Sequence, residues 1–130
     1  MTETGNPERF VVYLGYSSPP LHANQRFGNW GHKARVTAEV RAEAGWRIRS
    51  ANVGKAAFIR AFVVRRPATR RTRDAGNLWP LQKAVIDGVR DAGIVPDDDG
   101  RYLEELAPKL IEPEGRDRAG IWLVIDVVKR

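Results

Sequence analysis

The chain has 130 residues, 42% apolar and 29% charged, a length and balance that suit one domain with a single core. It contains no cysteine, which excludes disulfides, zinc–thiolate centres and thiol nucleophiles together and fits a reducing cytoplasm. Its formal net charge of +6, from 22 basic and 16 acidic residues, favours a polyanionic partner.

The N-terminal stretch Met1 to Arg9 is polar, lacks the basic-then-apolar pattern of a signal peptide, and is expected to be flexible. Phe10 to Leu14 is β-prone and predicts a strand. Residues 15 to 32, dense in Gly, Ser, Pro and Asn, predict a long loop of the kind that often carries function. From Lys33 to about Ser50, Val36, Val40, Ala44 and Ile48 recur every four residues, which predicts an amphipathic helix. Gly45 inside it predicts a bend or an early end, and Asn52-Val-Gly54 a stop. Ala56 to Val64, in which Phe58, Arg60, Phe62 and Val64 share one parity, predicts a strand with one well-buried face.

An arginine-rich loop follows, with five arginines among nine residues: Arg65, Arg66, Arg70, Arg71 and Arg73. Asn77 is expected to cap a second helix with Pro80 in its first turn. Leu78, Leu81, Val85 and Val89 form its apolar stripe, Lys83, Asp87 and Asp91 lie on the other side, and Gly93 closes it as a left-handed cap. Ile94 to Gly100 is a turn segment that gathers Asp97, Asp98 and Asp99. Arg101 to Leu106 reads as either a helical turn or loop, Lys109 to Glu112 as the start of a strand, and Ala119 to Val128 as a strong strand. The expected order is β-α-β-α-β-β: one α+β domain with helices on a small mixed sheet. The longest apolar runs, Ile121 to Ile125 and Ala61 to Val64, fall far short of the roughly 20 residues of a membrane span. A soluble cytoplasmic protein is therefore expected.

The chemistry concentrates in residues 70 to 100, RRTRDAGNLWPLQKAVIDGVRDAGIVPDDDG. Carboxylates stand before a helix (Asp74) and after it (Asp97 to Asp99). With only His22 and His32 as imidazoles, any metal is expected to be hard and oxygen-bound, Mg2+ or Mn2+. A helix of about 15 residues is ~22 Å long, so its two ends do not share a metal directly. Either the loop after Gly93 folds back along the helix, or Asp74 sits beside a strand end that this loop reaches. The residues alone also allow plainer readings. Asp74 suits a helix start, Asp97 to Asp99 a solvated turn, and Lys83 with Asp87 a surface ion pair at i,i+4 spacing. The tryptophans Trp30, Trp46, Trp79 and Trp122 read most simply as core or dimer-interface residues.

The stretch resembles RusA-type Holliday junction resolvases, which carry basic residues, then Asp-x-Asp-Asn-Leu, a lysine, an Asp-Ala-Leu or Asp-Gly-Leu helix, an Ala-Gly turn and an Asp-Asp pair. Here these are Arg73-Asp74-Ala75-Gly76-Asn77-Leu78, Lys83, Asp87-Gly88-Val89, Asp91-Ala92-Gly93 and Asp97-Asp98. Pro19-Pro20 with Asn24-Gln25-Arg26 resembles the family's Pro-Pro…Asn-x-Arg loop. The resemblance implies a RusA-like fold and a homodimer that nicks four-way DNA junctions with Mg2+ in recombination and repair. It implies Asp74 and Asp98 as catalytic metal ligands with Asp97 beside them, Lys83 as catalytic lysine, and Asn77 and Asp87 as supporting residues. Arg66, Arg70, Arg71, Arg73, Asn24, Arg26 and Lys33 would contact DNA. Two departures stand out: Gly76 replaces the second aspartate, and three extra residues, including Trp79-Pro80, separate Asn77 from Lys83. The first leaves a second reading open, a junction-binding protein that has lost cleavage.

Overall fold

In the computed structural model, which describes residues 7–21, 30–70, 73–96 and 101–129, side-chain alternation along one strand orients the whole sheet. That strand is β2 (Ala56–Arg66). Ile59, Ala61 and Val63 are fully buried on one face, while Arg60, on the other, is exposed. The elements in chain order are β1 (Glu8–Tyr13), α1 (Trp30–Ser50), β2, a 3-10 turn (Ala75–Leu78), α2 (Trp79–Asp91), β3 (Leu103–Glu105), β4 (Lys109–Leu110), a second 3-10 turn (Arg116–Arg118) and β5 (Gly120–Lys129). The sheet order is β1-β5-β2-β3, with β4 also pairing β2. β1 and β2 flank β5 antiparallel, whereas β3 and β4 lie parallel to β2, so the sheet is mixed.

The α+β class with two helices on a mixed sheet is as expected, and the order gains one strand. Arg101 to Leu106 holds β3 because Leu103 pairs Ile59 and is buried there. Glu8 and Arg9 belong to β1 rather than to a flexible tail, since Arg9 faces Asp126 of β5 in register. α1 begins at Trp30, three residues before its expected start. Asn52 (φ 55°) and Gly54 (φ 82°) end it in left-handed conformations, and Gly93 (φ 74°) does the same for α2.

Both helices cover the face of Ile59, Leu123 and Ile125, adding Val40, Ala44 and Ile48 from α1 and Leu81, Val85 and Val89 from α2. Each such side chain, fully buried, contributes about 1.5–3 kcal/mol. Gly45 does not end α1, which runs on to Ser50. It lies where the helices cross: a Cβ on Gly88 would stand 2.3 Å from the Arg41 carbonyl oxygen and 3.0 Å from the Gly45 nitrogen. The tryptophans are not core residues: Trp30, Trp46 and Trp79 are exposed and Trp122 is half-buried.

On the sheet's other face, cations lie over aromatic rings. Lys109 sits 4.9 Å from the centre of Phe62, Arg66 5.4 Å from Trp122 and Arg60 5.7 Å from Phe58. Among the described residues no helix is long and apolar enough to cross a membrane.

Two bidentate ion pairs tie elements together: Arg9 to Asp126 (2.7 and 2.9 Å) and Arg41 of α1 to Asp91 of α2 (2.6 and 2.8 Å). The guanidinium hydrogen bonds hold both carboxyls below their ordinary value. With folded values depressed, this stabilisation is complete above the unfolded value near 3.9 and lost as pH falls through the lower folded values. The urea midpoint of wild type should therefore exceed that of an Asp91→Asn/Asp126→Asn variant at pH 5, and the gap should close towards pH 2. A gap that stays constant would exclude these pairs as the source.

Candidate functional site

β2 ends in Arg65 and Arg66, and strand alternation sends them to opposite faces. Arg66 goes to the open face, where it bonds Glu114 (3.0 Å) and covers Trp122. Arg65 continues the inward parity of Ile59, Ala61 and Val63. It opens into a cavity of about 270 Å³ walled also by Ser18, Arg73, Asp74, Asn77 and Leu110. An adjoining hollow shares Arg73 and Leu110 with this one and adds Arg70 and Glu112. A hollow at the far end of the helix pair, lined by Arg49, Lys55 and Gly93, carries no carboxylate among the described residues.

Asp74, not Asn77, makes the first cap. Asp74 is extended (φ −109°, ψ 121°), and its Oδ1 accepts from the Gly76 backbone N–H at 2.9 Å. Asn77 sits inside the 3-10 turn, its backbone N–H donating to the Asp74 carbonyl at 3.0 Å. The turn runs straight into α2, with Pro80 in the first turn of that helix. A side chain at Gly76 would start beside the Asp74 carboxylate, its Cβ 3.2 Å from Oδ1 and 3.5 Å from Oδ2. That is where a second acid of an Asp-x-Asp pair would project.

Arg73, Asp74 and Asn77 thus share one cavity. Arg73 also donates to the Thr69 carbonyl at 2.7 Å. Arg70 is exposed and pairs with Glu112 at 3.0 Å. Lys33 stands 5.6 Å from the Trp30 ring centre on α1. Lys83 is exposed on α2 and does not line the cavity. It forms no ion pair with Asp87, which bonds Arg90 at 3.2 Å and lies 4.0 Å from Arg41. Asn24, Arg26, Arg71, Asp97, Asp98 and Asp99 lie outside the described residues.

The described flanks of the acid run are anchored away from Asp74. The Ile94 carbonyl accepts from the Ala56 N–H and the Tyr102 carbonyl from the Ile59 N–H, both towards the beginning of β2. The Asp74 cavity lies at Arg65, six residues further on, or about 20 Å at strand rise. The described residues therefore do not join the two acidic groups within one chain.

Arg65 stood in the arginine run but was not among the residues expected to contact DNA. Its signal was its parity: Ile59, Ala61 and Val63 are followed two residues on by an arginine. Burial, and secondarily the charge of Arg73, lower its pKa, and its buried Nε has no acceptor among the described residues. One carboxylate and two guanidinium groups suit an anion. They do not by themselves make a divalent-cation site, and no group of three metal-binding side chains occurs among the described residues. No protein-family model matches the chain, and a search of curated proteins returns no match.

Proposed function

We propose that the chain acts on branched DNA, as a structure-selective endonuclease that nicks four-way junctions in recombination or repair. The observation that carries this reading is the convergence of Arg65, Arg73, Asp74 and Asn77 on one cavity at the start of α2. Guanidinium groups hold backbone phosphates in a fork geometry that carries no base preference, as recognition by junction shape requires. Mg2+ or Mn2+ as cofactor requires Asp97 and Asp98 to join Asp74, because Asp74 is the one carboxylate on the described wall. A homodimer would set two such sites on a two-fold four-way junction, so that paired strands are nicked symmetrically. The second reading, a junction binder without cleavage, is favoured by Gly76, where the missing side chain would project beside Asp74.

A labelled four-way junction with Mg2+ separates the two. The nuclease reading expects paired nicks from wild type, lost with Asp74→Asn and with Asp98→Asn. Binding without nicks supports the binder instead. Gly76→Asp adds a second carboxylate within reach of the first, and under either reading it should strengthen Mn2+ binding measured by calorimetry. An unchanged Mn2+ affinity would show that position 76 does not face the metal.

A further inference from the structure

The arginines of β2 other than Arg65 are matched to acids, as are Arg9 and Arg41. Arg60 bonds Glu104 at 2.6 Å, Arg66 bonds Glu114 at 3.0 Å, Arg9 bonds Asp126 and Arg41 bonds Asp91. Arg65 breaks this pattern. It lies on the buried parity of the strand, its Nε is out of reach of solvent, and among the described residues it makes no ion pair. The cavity wall also carries a second cation, Arg73, and one carboxylate, Asp74, whose Oδ1 accepts from the Gly76 N–H. Two guanidinium groups against one carboxylate leave the wall net cationic, and a half-buried cation there gains from an anionic partner.

We propose that Arg65 is the phosphate-binding residue of this cavity. Its guanidinium accepts an incoming phosphodiester as partner, donating N–H bonds to the non-bridging oxygens, and Arg73 closes on the same group from the other wall. The ligand class is a tetrahedral oxyanion: a backbone phosphate in DNA, or free phosphate as its simplest representative. The assignment of DNA as the source rests on the function proposed above; the anion site itself does not. In this chain the cation takes over, at the cavity, part of the positioning that a second carboxylate at position 76 would otherwise achieve through a bound metal.

The test follows the arginine Nε–H signals in a ¹H–¹⁵N correlation spectrum of the full chain. Inorganic phosphate is titrated first, then a short single-stranded oligonucleotide, in EDTA to exclude metal. The Arg65 Nε–H signal should move with saturable dependence on phosphate. Arg65→Met should weaken phosphate binding by about tenfold, the equivalent of one charge-assisted hydrogen bond. It should leave the thermal midpoint equal to or above that of wild type, because a half-buried charge beside a second cation, Arg73, is removed. A purely structural arginine would instead lower the midpoint and leave phosphate affinity alone. Arg60→Gln, at an exposed pair on the sheet's other face, serves as the control and should not change phosphate affinity. An Arg65 signal unmoved by phosphate, or wild-type affinity in Arg65→Met, overturns the proposal. Phosphate binding through Arg65 without junction cleavage keeps the anion site and sinks the nuclease reading. Cleavage with unchanged KM in Arg65→Met does the reverse.

Discussion

Gly88→Ala is expected to cost about 3 kcal/mol or more of folding free energy, the upper part of the range for forcing atoms into a packed interior. The new Cβ would lie 2.3 Å from the Arg41 carbonyl oxygen and 2.9 Å from the Ala44 Cβ. Two of the three nearest atoms belong to the α1 backbone, and a backbone in mid-helix does not swing aside as a side-chain tip does. The helices must separate, and separation opens gaps around Ile48, Val85 and Val89. Gly45→Ala is the instructive comparison. There the Cβ would meet the Gly88 carbonyl oxygen at 3.1 Å and otherwise an Arg49 side chain. The better helix propensity of alanine, up to ~1 kcal/mol, offsets that milder contact. Urea denaturation should therefore place Gly45→Ala close to wild type and Gly88→Ala far below it. Equal losses from the two would show that the crossing is looser than these distances require.

Gln82→Leu is the other large effect. β3 and β4 both pair with β2, but between them the chain leaves β2 after the Leu106 N–H, which still donates to the Ala61 carbonyl at 2.9 Å, and returns at Lys109. The Val63 N–H faces that gap. Gln82 fills it from α2 with no exposed surface: its Oε1 accepts from Val63 N–H at 2.7 Å, and its Nε2 donates to the Leu106 carbonyl at 2.6 Å and to Glu105 at 3.0 Å. One side-chain amide thus stands in for the missing stretch of strand. Leucine matches the volume and strands a buried donor and a buried acceptor, each costing about 1–3 kcal/mol, so the loss should be about 2–5 kcal/mol. Gln82→Glu keeps the acceptor for Val63 but places a carboxylate beside Glu105 and the Leu106 carbonyl. Its folded pKa would be raised, so the penalty should grow as pH climbs above about 4.3 and ease below it. A chemical-denaturation series across pH 3 to 7 checks both magnitude and sign.

The fold was legible where burial follows period. Val40, Ala44 and Ile48, and Leu81, Val85 and Val89, were readable as stripes and are the core. What failed to read was set by contacts distant in sequence. Gly45 looked like a flaw in α1 because its reason lies in Gly88, 43 positions away. Leu103 to Glu105 is too short to announce itself as a strand, and it exists because Ile59 to Ala61 receive it. Nothing in the sequence sets Gln82 apart, since its partners Val63 and Leu106 are supplied by the sheet. At the site, Arg73, Asp74 and Asn77 were anticipated and share a cavity, whereas Lys83 stands off its wall. Arg65 was hidden by its neighbours, because in a run of arginines nothing but strand parity distinguishes the one that turns inward.

The two grip points on α2 have a mechanical consequence. Gln82 fastens the helix to the sheet near its start, and Gly88 locks it against α1 two turns later. A rod held at two points on different supports neither slides along its axis nor rolls about it. Shear of α2 is thereby removed as a route of adjustment.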